Sequence, residues 1–99
     1  MEFLVTIDVR WPPDGDTATK EALILAEASR SQELAQAGHL KRLWRRPGAW
    51  ANVGLWEAVD ATELHDKLSS LPFYPWLDII VQPLARHPSD PARSGQEAM

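Results

Sequence analysis

An antiparallel sheet covered on one face by two helices is the fold this sequence predicts, and three observations predict it. Phe3, Val5, Ile7 and Val9 alternate with Thr6, Asp8 and Arg10, the period of a strand with one buried face. From Thr17 to Ala37 there is neither proline nor glycine, and the stretch is rich in Ala, Leu and Glu, which favours one long helix. Strand and helix signals then recur in the order βαββαβ. Two such units fold most economically as a sheet with both helices on one side, the ferredoxin-like α+β arrangement.

The first strand spans about 2–10. Trp11-Pro12-Pro13-Asp14-Gly15-Asp16 ends it, because proline lacks the amide donor and fixes φ, and Asp16 or Thr17 can cap the helix that follows. That helix stops at Gly38, a residue suited to a helix C-terminus. Residues 39–46 and 50–58 read as two strands flanking Pro47-Gly48, a turn pair fit for a hairpin. A shorter helix starts at Asp60 or Thr62 and runs to Ser70, ended by Pro72. Residues 76–84, with Leu77, Ile79, Ile80 and Val81, form the last strand. Residues 1–88 are expected to make a single domain, and 89–99, rich in Pro, Ser, Gly and Ala, a C-terminal arm or disordered tail.

Composition narrows the function. Ninety-nine residues suffice for one small core with little to spare, so further burial in an oligomer is expected. A net charge of −4 offers no basic face for nucleic acid, and no apolar run suggests a membrane span. The N-terminus carries an early acid and reads as a strand, not a signal peptide, which places the protein in the cytoplasm. There is no cysteine, so disulfide and thiolate chemistry are excluded. His39, His65 and His87 are too far apart to make a spaced ligand set, so no metal is expected. No glycine-rich phosphate loop or nucleotide fingerprint appears, and no cofactor is expected.

Two features stand out against that background. Five tryptophans in 99 residues is a high number. With Val53 and Leu55 turned toward the helices, Trp50, Asn52 and Trp56 fall on the uncovered sheet face. On the neighbouring strand either Trp44 with Arg42 and Arg46, or Leu43 with Arg45, joins them. Such a wall either packs against another subunit or lines a pocket for a small anion, and the two roles are compatible. The second feature is Glu27. On a helical projection Leu23, Ala26, Leu34 and Ala37 make the apolar stripe, and Glu27 lies about 40° from Leu23, inside it. Desolvation there raises a carboxylate's pKa toward neutrality, as a general base for carbon acids requires. The competing role for Glu27 is an i, i+3 ion pair with Arg30.

The chain resembles the muconolactone delta-isomerase family from Phe3 to about Ser89. The likeness is carried by Phe3-Leu4-Val5, the loop from Pro12 to Asp16, Glu27, Gly38, Leu43-Trp44-Arg45, Gly48, Ala51-Asn52, Leu64-His65-Asp66, Leu71-Pro72, Pro75, Asp78-Ile79 and Arg86-His87-Pro88-Ser89. The resemblance implies a cofactor-free isomerase of aromatic (catechol) catabolism in the β-ketoadipate pathway. It also implies sheet-to-sheet dimers assembled into a larger homo-oligomer, a decamer. The substrate would be a butenolide bearing a carboxymethyl group, muconolactone, converted to 3-oxoadipate enol-lactone by an intramolecular proton shift. Glu27 is implied as the base, with Arg45 and Asn52 holding the lactone oxygen or the carboxylate. Arg30, Trp44, Trp50 and Trp56 are further substrate-binding candidates.

The chain departs from the family pattern at Leu40-Lys41-Arg42, where Trp-Arg-His is usual, at Ala49-Trp50, where His-Tyr is usual, and at Ile80, where Glu is usual. These changes predict a more apolar pocket. Alternative roles are a recruited homologue acting on another lactone or enolisable substrate, and a non-catalytic, ligand-binding dimeric α+β barrel, since fold alone does not fix activity.

Overall fold

The computed structural model of the protein describes residues 1–93. Its elements are β1 (Glu2–Val9), α1 (Thr17–Gln36), β2 (Leu40–Arg45), β3 (Ala51–Glu57), α2 (Ala61–Ser69) and β4 (Leu77–Leu84), with short 3-10 turns at Tyr74–Trp76 and Pro91–Arg93. The strands lie in the order β2-β3-β1-β4, every neighbouring pair antiparallel. This is the predicted ferredoxin-like arrangement, with element ends moved by about one residue, the usual scatter of helix and strand termini. Of the arm expected over 89–99, residues 94–99 lie outside the described part.

The local chemistry follows the sequence closely. Asp16 caps α1, its carboxylate accepting from the Thr19 amide at 2.8 Å and the Thr19 hydroxyl at 2.7 Å, which holds its pKa below the usual value. Asp60 does the same for α2 through the Glu63 amide at 2.9 Å, while Glu63 accepts from the Val59 amide at 2.9 Å. The C-terminus of α1 closes with His39 N–H to Leu34 C=O and Gly38 N–H to Ala35 C=O. That pairing needs a left-handed residue at Gly38, whose φ is +87°.

The core lies between the sheet and the helices: Phe3, Val5 and Ile7 from β1, Trp56 from β3, Leu34 from α1, Leu64 and Leu68 from α2, and Leu71 beyond it. Register decides which residues join it. Phe3 sits opposite Trp56, Val5 opposite Gly54 and Ile7 opposite Asn52, and directly opposed residues share a face. Trp56, Gly54 and Asn52 therefore face the helices, while Val53 and Leu55 face outward, the reverse of the phase expected from β3 alone. The reason is that β3 carries bulky apolar residues in both phases, so β1, wholly apolar in one phase and mostly polar in the other, sets the orientation of its partner.

The same register corrects β2. Arg45 pairs with Asn52, and Leu43 with Gly54, under the helices; Trp44 pairs with Val53 on the open face. That open face carries its own charge pairs: Arg46 donates to both Asp8 oxygens at 3.1 Å, Arg10 pairs with Asp78 at 2.6 Å, and the Arg42 guanidinium stacks over Trp44 at 4.8 Å. Ile80, opposite Thr6, lies on this face with 63% of its surface exposed. The changes at Arg42 and Ile80 thus alter the open face and not a pocket under the helices.

Candidate active site

The stripe of α1 that meets the sheet runs Leu23, Glu27, Ser31, Leu34. Leu34 is buried and the other three are half-buried, whereas Ala26 and Ala37, expected in the stripe, are exposed. The i, i+4, i+8, i+11 spacing puts these four on one side of the helix, and it carries Glu27 to the sheet side. A cavity of about 320 Å³ opens there between α1 and the sheet. Its walls are Ile7 and Val9 of β1, Leu43 and Arg45 of β2, Trp50 and Asn52 at the start of β3, Phe73, Leu77, and Ile24, Glu27, Ala28 and Ser31 of α1.

Glu27 has one polar partner, the Phe73 amide, which donates to its Oε1 at 3.1 Å. Burial pushes its pKa above the usual 4.5; the Phe73 hydrogen bond acts in the opposite direction and is the smaller effect. Among the described residues no cation lies within salt-bridge reach of Glu27, and no carboxylate within reach of Arg45. The cavity therefore holds an unpaired base and an unpaired guanidinium in an apolar frame.

Next to the cavity, on the same face of β3, Gly54 makes room for Trp56. At Gly54 a Cβ would lie 2.7 Å from Trp56 Nε1 and 3.3 Å from a Leu43 methyl, so the indole lies over the Gly54 backbone. Asn52 Oδ1 and Trp56 Nε1, two residues to either side on the same face, are both buried with no hydrogen-bond partner among the described residues. Around the mouth, Phe73 is the hub of an aromatic cluster: Trp50 meets it edge-on at 5.4 Å and Trp11 at 6.1 Å, with Trp76 tilted against Trp11 at 4.9 Å.

The structure brings Glu27, Arg45, Asn52 and Trp50 to this cavity and places three other candidates elsewhere. Arg30 turns away from Glu27, donating to Ser70 Oγ at 3.0 Å and Glu33 Oε1 at 3.1 Å, so it ties α1 to the end of α2. Trp44 is on the open face and Trp56 is a core residue, both consequences of the register. Leu43 beside Arg45 is one of the two alternatives expected for that strand, whereas Phe73 and Ile24 were not foreseen. The short Leu71-Pro72-Phe73 segment before a proline-containing 3-10 turn was the available signal that a backbone amide would be held out of regular pairing. Among the described residues no group of three or more His, Asp or Glu could hold a metal, and no helix is long and apolar enough to cross a membrane.

A half-buried, unpaired carboxylate facing a small apolar cavity under a ferredoxin-like sheet defines a candidate acid–base site for a small organic substrate. The chain belongs to the muconolactone delta-isomerase family, whose model, described as muconolactone delta-isomerase, matches residues 1–90, and it is accordingly an isomerase. It is 36% identical over 88 residues to the muconolactone delta-isomerase of Rhodococcus opacus, covering 89% of this chain and 95% of that one. To the enzyme of the same name from Pseudomonas aeruginosa it is 38% identical over 89 residues, 90% of this chain and 93% of the other. The crystal structure of muconolactone isomerase superposes with a TM-score of 0.86 at 37% identity, covering 92% and 95% of the two chains. A 5-chloro-2-hydroxyhydroquinone dehydrochlorinase from Burkholderia phenoliruptrix, at TM-score 0.67 and 16% identity over 88% and 96% of the chains, shares the fold alone.

Proposed function

We propose that this protein isomerises muconolactone to its enol-lactone by a proton shift within one cavity, with Glu27 as the base. The observation that carries the reading is the half-buried Glu27, unpaired with any cation and facing the cavity walled by Arg45 and Asn52. In the substrate the ring double bond is conjugated with the lactone carbonyl. Glu27 removes the proton from the ring carbon bearing the carboxymethyl group, and the electron pair delocalises into a dienolate. The same carboxylic acid then returns the proton to the carbon next to the carbonyl, which leaves the double bond shifted and the atoms unchanged.

Charge develops on the lactone carbonyl oxygen during this step, and Arg45 and Asn52 supply donors for it from the cavity wall. A carboxylate with a raised pKa suits both halves of the reaction, since it must accept a proton and then release it. Trp50 and Phe73 provide the flat apolar walls. Arg30, Trp44 and Trp56 contribute through packing and helix anchoring.

The test is an ultraviolet assay of the conjugated lactone with muconolactone and a methyl-substituted analogue, for the wild type and Glu27→Gln. Turnover of muconolactone that collapses in the variant supports the isomerase and its base together. Turnover of the analogue alone redirects the assignment to a substituted lactone. A folded protein inert to both removes the reading in favour of a recruited homologue or ligand-binding role.

We further propose that the chain works as a homo-oligomer of sheet-to-sheet dimers, built up to the decamer implied by the family. Ile80 and Trp44 on the open sheet face, and Leu25 at 74% exposure on α1, are large apolar groups that a lone subunit leaves in water. Light scattering on the purified protein should give a mass well above 11.1 kDa, and Ile80→Lys should lower it; a monomeric wild type removes the proposal.

A further inference from the structure

Beside the Glu27 cavity lies a second one of about 330 Å³, bounded by Trp11, Gly15, Thr17 and Lys20, and the two share Val9 and Trp50 as a common wall. Lys20 is half-buried and its Nζ stands 4.9 Å from the centre of the Trp50 ring. Its own loop supplies no counter-ion: Asp16, one turn earlier, is engaged by Thr19. Among the described residues no carboxylate lies within salt-bridge distance of Lys20. An ammonium resting on an aromatic face keeps N–H donors free for an anion approaching from the open side. Trp11, seated directly on Gly15 and packed at a tilt against Trp76, makes the opposite apolar wall.

We propose that Lys20 is a specificity-determining residue that binds the substrate's carboxylate on the far side of Trp50. This rests on the isomerase reading above and deepens it. A ring seated against Glu27, with a short anionic arm reaching past Trp50, spans the shared wall of the two cavities. The cationic duties then divide: Arg45 and Asn52 attend the lactone oxygen where charge develops, and Lys20 attends a charge that is the same before and after the proton moves. Binding of that second kind lowers KM and leaves kcat unaltered.

The deciding experiment titrates furan-2-acetate and furan-2-acetamide, which share a ring and arm but differ in charge, into the wild type, Lys20→Met and Lys20→Arg, read by tryptophan fluorescence. The wild type should prefer the carboxylate by about tenfold, the scale of one charge-assisted hydrogen bond at a partly open site. Lys20→Met should bind both probes alike, and Lys20→Arg should restore the preference. In turnover, Lys20→Met should raise KM about tenfold with kcat nearly constant. Equal binding by the wild type, no binding, or a preference that survives Lys20→Met overturns the subsite. A wild type that fails to isomerise muconolactone yet shows a Lys20-dependent carboxylate preference would remove the isomerase reading and leave the subsite standing.

Discussion

The two faces of the sheet use charge in opposite ways. On the open face three arginines have a partner on a neighbouring segment or ring: Arg46 on Asp8, Arg10 on Asp78, Arg42 on Trp44. Under the helices Glu27 and Arg45 wall one cavity and neither forms an ion pair among the described residues. Paired, exposed charges are worth little and are chemically quiet. Groups facing a cavity without an ion-pair partner keep their reactivity because no opposite charge in the protein already neutralises them. The difference separates a face suited to assembly from one suited to chemistry.

The comparison breaks most sharply at Glu27. Glu27→Gln should cost about 10³-fold in kcat/KM, within the range for loss of a general base, while the protein stays folded. Its stability should move the other way. The folded pKa of Glu27 lies above the unfolded value of about 4.5, so the folded state binds the extra proton, and the associated stability is present below the unfolded pKa and lost as pH rises through the folded one. Thermal melts should therefore show Glu27→Gln more stable than the wild type at neutral pH, with the advantage vanishing in acid. Activity follows the deprotonated base, so kcat/KM should fall as pH drops through the raised pKa of Glu27. A profile flat down to pH 4.5, the ordinary carboxylate value, would contradict the burial argument.

Smaller effects follow outward from that centre. Arg45→Met should lower kcat on the order of 10²-fold, as for removal of one donor to a developing oxyanion, and leave the melting temperature near that of the wild type because no ion pair is lost. On the other face Asp8→Asn removes the Arg46 pair and should cost less than about 1 kcal/mol in urea unfolding, with steady-state kinetics unchanged. A large kinetic effect from Asp8→Asn would erase the distinction between the faces.

The order of elements, their ends and Glu27 were legible in the sequence because each rests on a local pattern. One phase of β1 is wholly apolar and the other mostly polar, and Glu27 interrupts a helical stripe. The phase of β3 was not legible: Trp50 and Trp56 argue for one face being inside as strongly as Val53 and Leu55 argue for the other, and the tie is broken by pairing with β1, a contact between distant segments. Arg30 shows the same limit. Three residues from Glu27, it is near enough to pair with it, yet Ser70, forty positions later, draws it away. The amide of Phe73 reaches Glu27 across 46 residues; the nearby Pro72 and Pro75 mark an irregular backbone there, but not which distant side chain its amide meets.

The contact between Gly54 and Trp56 ties the two positions into a single inherited unit. Because the indole occupies the space a residue-54 side chain would need, neither position can drift alone: a Cβ at 54 is tolerated only once the ring at 56 has shrunk or moved. Descendants of this chain would have to cross that constraint in a set order, the smaller ring first, and the reverse order would pass through a poorly folding intermediate. A two-by-two set of variants, Gly54→Ala with and without Trp56→Phe, would expose the dependency as non-additive unfolding free energies.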